Sequence, residues 1–453
     1  DAVEIGTINA TKASSLGLAE DITVSSFGAD DLESLTVTGD ADLTITNALD
    51  DEAVTVNASA YTGALDLLHG TNALTYTGGT GADTIRFAAD DLTTTDTITG
   101  GAGADEVIAV LDSGTVTPTI SGVETLDLTF SGGQLNASSI TDVTTIEIQA
   151  STGAGVITNL ASTATTISQK GDAAVVNIGY AASAAATVTY NVIDTDAATI
   201  ANTSTTFSNV ANLTIAGVSG NVADVTTDLT SLAGGTALTS LTVTTGSDSG
   251  DTLDTGAITA ANLTSLTTSS DEANLTLGAL ATMDDLATIS HTGTGAGLTT
   301  VGAIGATTSA DALTSYVVNM SGGAEAHLGN VDANDADVAT FDIDLTGAYV
   351  TSTLGTFTAD NITSFDIDTG ADGTSFVITQ FDIQETLGNV TITTAEDFDI
   401  TNGILAATSV GDVTIVATDS FNIADDSAFI DEATTVGNIS ITSSGAGTGV
   451  NLG

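Results

Sequence analysis

The chain contains no cysteine and no tryptophan, one proline, and only three basic residues, Lys12, Arg86 and Lys170. Without cysteine, neither disulfides nor thiolate metal sites can hold a fold together. The three basic residues stand against 58 Asp plus Glu, a formal charge of −55. A surface of that sign repels nucleic acid and anionic lipid, since both need Lys or Arg to neutralise phosphate. Cations are the partners such a charge calls for. No apolar run approaches the ~18 residues that cross a bilayer, so no membrane insertion is expected. The first residues, Asp1-Ala2-Val3, show neither Met nor a signal-peptide pattern and read as a processed or excerpted chain.

What is present is apolar, small and β-branched. Residues of apolar type make up 42% of the chain, which separates it from acidic disordered segments and allows a buried core. Aromatics are 4%, so Ala, Val, Ile and Leu must supply most of that core. Thr and Val favour strands, the 48 glycines are spread as turn positions, and Pro118 interrupts almost nothing. A repetitive all-β protein is expected.

The pattern apolar-x-x-apolar-x-apolar recurs along the chain, as in Leu238-Thr-Ser-Leu241-Thr-Val243 and Ile362-Thr-Ser-Phe365-Asp-Ile367. Its first positions are Leu238, Leu263, Leu286, Leu313, Val338, Ile362, Leu387, Val410 and Val436, at intervals of 25, 23, 27, 25, 24, 25, 23 and 26. Earlier copies at Leu32, Val123, Val143 and Val210 are less evenly spaced. A second strand shifts with the first: Val390-Thr-Ile392 precedes Phe398-Asp-Ile400 as Val413-Thr-Ile415 precedes Phe421-Asn-Ile423. Short alternating strands separated by Gly, Asn, Asp or Ser describe coils of a parallel β-helix, or β-solenoid, of about 25 residues. Stacking would put inward Leu, Ile, Val and Phe into apolar ladders. It would also line Thr242, Thr267, Ser290, Asp342, Asp366, Thr391, Thr414 and Ser440 along one outer face. Tandem β-sandwich repeats are the alternative, and a leucine-rich repeat lacks its diagnostic Asn here. Four segments are expected: β repeats (1–69), glycine-rich turns (70–122), irregular coils (123–237) and regular coils (238–453).

The clearest motif is Gly78-Gly79-Thr80-Gly81-Ala82-Asp83-Thr84-Ile85-Arg86, echoed by Gly100-Gly101-Ala102-Gly103-Ala104-Asp105-Glu106-Val107-Ile108. Both match the calcium-binding turn G-G-x-G-x-D-x-U-x. Glycines permit a tight turn that presents carbonyl oxygens, and the Asp adds a carboxylate. Calcium takes six to eight oxygens, so two stacked turns would be needed. The copies are 22 residues apart and not in tandem; if the segment between them forms one coil they become neighbours, with Asp96 as an added ligand. A second acidic signal is stacking itself, for Asp342 and Asp344 recur one coil later as Asp366 and Asp368. Two carboxylates one coil apart repel by about 3.5 kcal/mol at an effective dielectric of 20 and about 1 kcal/mol in full solvent, and a bridging cation reverses the sign. Screening by water and salt is the plainer reading of that face. The loops Asp248 to Asp251, Asp332 to Asp337 and Asp425-Asp426 have ligand-like spacing, each weak alone. Ordinary Gly-Asp turns remain the bland reading of the glycine motifs.

Catalysis finds little support. His69, His291 and His327 are scattered, and His291 occupies the third apolar position of its repeat. A polysaccharide lyase built on a β-helix is the enzymatic alternative, but a groove for acidic glycans needs more than three basic residues. Asn-x-Thr sequons such as Asn262-Leu-Thr and Asn389-Val-Thr are frequent, as chance allows in so Thr-rich a chain.

With its Ala, Thr, Gly and Ser bias, its G-G-x-G-A-D turns and the segment Ile120-Ser-Gly-Val-Glu-Thr-Leu126, the chain resembles RTX-type S-layer proteins of Gram-negative bacteria, and more broadly repeat-rich surface and biofilm-matrix proteins. The specific motifs cover only Gly78 to Leu128. The resemblance implies type I secretion, an extracellular location, folding on meeting calcium, and self-assembly into a lattice or filament. It carries ligand roles over to Gly79, Gly81, Asp83, Gly101, Gly103 and Asp105. The expectation is a non-catalytic structural protein, with an adhesin that binds cell-surface polysaccharide as the alternative. The last residues, Thr448 to Gly453, suggest no capping segment, and an uncapped end would favour end-to-end association.

Overall fold

In the computed structural model, the described residues are 5–10, 22–24, 33–49, 54–182, 185–193, 200–202, 204–218, 226–229, 231–246, 251–347, 351–370, 375–395, 397–406, 408–418, 421–423, 430–431, 433–444 and 450–451. Among them there is no helix. Short strands pair in parallel with their equivalents one coil on, giving a β-solenoid of about 15 turns of roughly 23 residues. Two compact units are distinguished, one of residues 1–193 and 205–210, the other of 194–204 and 211–453. Leu32 lies outside the described residues.

In the second unit the register is that of the sequence repeat. Leu241, Leu266, Ile289, Tyr316, Phe341, Phe365, Val390, Val413 and Ile439 stand one above another in successive coils. Side chains alternate across each strand, so this column points inward, and all of its members before Ile439 are buried. The neighbouring outward column runs Thr242, Thr267, Ser290, Val317, Asp342, Asp366, Thr391, Thr414, Ser440. The hydroxyl and carboxylate face is thus as the repeat implies, with Val317 breaking it once.

Coils of the first unit are shorter and less even. Asp66 pairs with Thr84, Thr84 with Glu106, Glu106 with Thr125, Thr125 with Thr145, Thr145 with Thr166 and Thr166 with Thr189, steps of 18 to 23 residues. Two strands here, Thr145–Leu160 and Thr166–Tyr180, run 16 and 15 residues, so one strand carries round a coil corner, with the register shifting between Gln149 and Ala154. That is why the repeat fades between 150 and 210. The pairing continues across 69/70 and across 122/123.

Five of the few aromatics collect in one place, and Phe376, Phe398 and Phe421 form a second line. Tyr316, Phe341 and Phe365 stack at 5.5 and 4.9 Å with near-parallel rings. Phe357 and Phe381, from the facing strands, meet Phe341 edge-on at 4.8 and 5.3 Å. Stacking along the coil axis and edge contacts across it are the two geometries that ring quadrupoles prefer. A core otherwise built of Ala, Val, Ile and Leu therefore has an aromatic spine across three coils. Phe341 lies at its centre with no exposed surface. Phe341→Ala is expected to cost about 3–5 kcal/mol, read as a lower urea midpoint; a loss under ~1 kcal/mol would mean that the spine is loosely packed.

Candidate functional site

The two glycine turns do fall on consecutive coils, for Thr84 and Ile85 pair with Glu106 and Val107. Their glycines serve close approach of backbone to backbone. A Cβ on Gly79 would stand 1.9 Å from the Tyr61 carbonyl oxygen, and one on Gly81 2.0 Å from that of Gly63. On Gly101 and Gly103 the clashes are with the carbonyls of Gly79 and Gly81, at 2.4 and 2.2 Å. Those two also hold φ of 111° and 144°, where a side chain is strained. The turns are a column of carbonyls stacked on glycines.

Asp83, Asp105 and Asp96 are buried, at 1%, 2% and 0% exposure. Each carboxylate receives backbone N–H groups. Leu65 N–H donates to Asp83 Oδ1 at 2.9 Å, Asp83 N–H to Asp105 Oδ1 at 2.8 Å, and Asp105 N–H to Glu124 Oε2 at 2.8 Å. Since Leu65, Asp83, Asp105 and Glu124 directly precede residues in register, this is a ladder of carboxylates, each accepting from the coil before. Asp96 opens a different strand and accepts from Leu74 N–H at 2.7 Å and Thr93 N–H at 2.6 Å. The structure therefore brings Asp83 and Asp105 together and sets Asp96 at another corner.

The second oxygens of the pair differ. Asp83 Oδ2 takes the Tyr76 hydroxyl at 2.6 Å. One coil on, Tyr76 is replaced by Ile98, which has no donor, and Asp105 Oδ2 is buried without a partner. Burial, together with the charges of Asp83 and Glu124, pushes Asp105 up to about 6. Burial raises Asp83 as well. As a calcium site the turns fit in part. Asp105 Oδ2 is open to a ligand and the Gly122 carbonyl oxygen stands near it, since a Cβ on Gly100 would lie 2.6 Å from that Oδ2 and 2.0 Å from the Gly122 oxygen. Both oxygens of Asp83 are already engaged.

The acidic face of the second unit has the opposite character. Asp342 pairs with Asp366 and Asp344 with Asp368, so the carboxylates stack at the coil spacing of ~4.8 Å. Asp342 and Asp344 are half-buried, Asp366 and Asp368 exposed. Burial first, and then the neighbouring carboxylates, raise Asp342, Asp344 and Asp368 above the usual range. Asp344 Oδ1 is shut off from solvent and accepts no hydrogen bond.

One acidic group escapes the repeat pattern. Glu106, Asp127 and Glu147 offer oxygens within 4.8 Å of one another, from outward positions on three successive coils. The signal was present in Leu126-Asp127-Leu128 and Ile146-Glu147-Ile148, a carboxylate between two inward residues. Here the chain supplies its own counter-ions. Arg86 pairs with both oxygens of Asp66 at 2.7 and 2.9 Å, Lys170 meets Glu147 at 2.5 Å, and both charges oppose the upward shift of Glu106. Both described basic residues of the chain are thus spent on this face.

The weaker acidic loops divide. Asp332 Oδ1 is buried and unpartnered, while Asp337 accepts from Asn361 at 2.7 Å. Asp248, Asp425 and Asp426 lie outside the described residues. The histidines are held structurally: His69 Nε2 donates to Asn72 O at 2.7 Å, His327 Nε2 to Thr351 O at 3.1 Å, and His291 Nδ1 is bonded to Thr268 Oγ1 at 2.8 Å in the core.

No protein-family model, curated protein or solved structure matches the chain. Function is argued from these faces alone.

Two outcomes are expected at the turns. Adding a methyl in Gly81→Ala forces stacked backbones apart and should cost about 1–3 kcal/mol, measured by chemical denaturation. For Asp105, the folded chain keeps its proton to about pH 6 whereas the unfolded chain releases it near the ordinary 3.8. Folded protein holds the extra proton between those values, so this contribution is complete below pH 3.8 and lost as pH rises through 6. In chelator, Asp105→Asn should melt higher than wild type at pH 7 and lack this part of the gain that wild type shows on acidification. A variant less stable at pH 7 would show the ionised carboxylate to be favourable.

Proposed function

We propose that this chain is a non-catalytic structural protein, secreted to the cell surface, whose acidic coils bind calcium and which assembles with copies of itself into a lattice or filament of the S-layer kind. The observation that carries this reading is the in-register stacking of Asp342 on Asp366 and Asp344 on Asp368. Such a face repels itself, and the described basic side chains are engaged with Asp66 and Glu147 instead. Divalent cations are the available counter-charge, and oxygen-only donors suit calcium. The unpartnered Asp105 Oδ2, close to the Gly122 carbonyl, supports the same reading of the glycine turns. At a charge of −55, copies of the chain repel one another unless cations intervene, so the ion that quiets one coil stack also permits contact between two. Polar columns on the outer face support a second reading, an adhesin or matrix segment presenting hydroxyls to surface polysaccharide.

The test is circular dichroism and light scattering of the purified chain, titrated with calcium and then with chelator. β signal and particle size should both rise with calcium and fall on chelation. A chain that is folded and monomeric in chelator at low salt, and unchanged by calcium, would overturn the assembly reading and favour the adhesin.

A further inference from the structure

A cavity of about 260 Å³ opens beside the stacked carboxylates, lined by Thr292, Gly293, Asn319, Met320, Ser321, Asp344 and Thr346. Three coils build it, because Thr292, Asn319 and Asp344 are successive members of one outward column. Gly293 and Met320 form its floor, where a Cβ on Gly293 would meet the core, 2.5 Å from Met320 Sδ and 2.7 Å from Ala324 Cβ. Above this floor the lining offers oxygen alone: three hydroxyls, one side-chain amide and one carboxylate. Ser321 Oγ donates to Gly293 O at 3.2 Å and keeps its lone pairs free.

We propose that this cavity is a discrete calcium site, in which Asp344 supplies the anionic ligand and Asn319, Ser321 and Thr346, on the same and the adjoining coil, supply neutral oxygens, with Thr292 at its rim. Two independent features support it. Asp344 Oδ1 is a closed-off carboxylate oxygen with no donor, an arrangement that costs free energy unless a ligand satisfies it. Next to it Asp368 stacks in register with Asp342 and Asp366 close by, so the cavity adjoins four neighbouring carboxylates. Hard oxygen donors of mixed charge and a volume larger than one bare ion fit calcium with part of its water shell. The inference rests on the calcium reading above and places one ion within it.

The experiment is calorimetric titration of chelator-treated full chain with calcium chloride, with melting temperatures measured in chelator and in calcium. Asp344→Asn, Asn319→Ala and Asp284→Asn are compared with wild type. Asp284 sits in an exposed turn, so its variant removes the same charge without touching the cavity. Asp344→Asn should melt higher than wild type in chelator, because repulsion is relieved. In calcium it should gain less, with one class of sites weakened by about tenfold or more. Asn319→Ala should weaken the same class at unchanged charge, while Asp284→Asn binds as wild type. Equal losses in Asp344→Asn and Asp284→Asn, with none in Asn319→Ala, would mean diffuse screening and overturn the site. If wild type assembles with calcium yet Asp344→Asn and Asn319→Ala bind as wild type does, the site falls and the calcium reading stands. If calcium alters neither the heat nor the melting temperature of wild type, both fall together.

Discussion

Backbone hydrogen bonding between parallel coils fixes equivalent residues about 4.8 Å apart, and everything else in this molecule follows from that spacing. The chain cannot choose the neighbours of a residue independently, because each one faces its counterparts in the coils before and after. Apolar residues gain from this: Tyr316, Phe341 and Phe365 become a stack merely by recurring. Carboxylates lose by it, and a chain with 58 acidic residues and three basic ones must dispose of the repulsion coil by coil. It does so in two ways. Asp83, Asp105 and Glu124 accept backbone N–H groups of adjacent coils. Asp66 and Glu147 take the scarce Arg86 and Lys170. Asp342, Asp344, Asp366 and Asp368 have neither device, and it is on them that a cation is proposed.

Much of this was legible in the sequence wherever inward residues are large. The intervals between Leu238 and Val436 are those of the coil register, because one Leu, Val, Ile or Phe per coil must fill the same layer of the core. Legibility falls in the first unit for a physical reason. Strands such as Thr145–Leu160 run on through a corner with a shift of register inside them, and Ala, Gly and Ser take positions that elsewhere hold Leu or Ile. Even so, the outer column from Thr242 to Ser440 could be written down in advance, apart from Val317.

The candidate site was legible as residues and not as roles. G-G-x-G-x-D says that a backbone turns tightly and that an Asp sits near it; it does not say what that Asp accepts. The answer lay outside the motif, in Leu65 N–H and in the Tyr76 hydroxyl, 18 and 7 residues from Asp83. Replacement of Tyr76 by Ile98 in the next coil makes two similar motifs unequal, since Asp105 lacks the partner of Asp83. The difference stands two residues before each motif, where its meaning depends on the fold. The Asp344 cavity is likewise assembled from separate coils, since Thr292 and Asn319 join Asp344 only through the register.

The direction of the pairing has a mechanical side. In each unit the N–H···O bonds between coils lie along the stacking axis, so a pull along that axis loads all the bonds of one coil junction together and the junctions one after another. Yield is then set by the least-bonded junction, not by the average. Pairing is thin where single residues meet, as for Ile258 with Leu280 and Ile304 with Val331, and dense where Ser352–Thr369 lies along Ser375–Thr394. A stretched molecule would hold longest where pairing is dense, along Ser352–Thr369 and Ser375–Thr394, giving the stack a built-in order of failure.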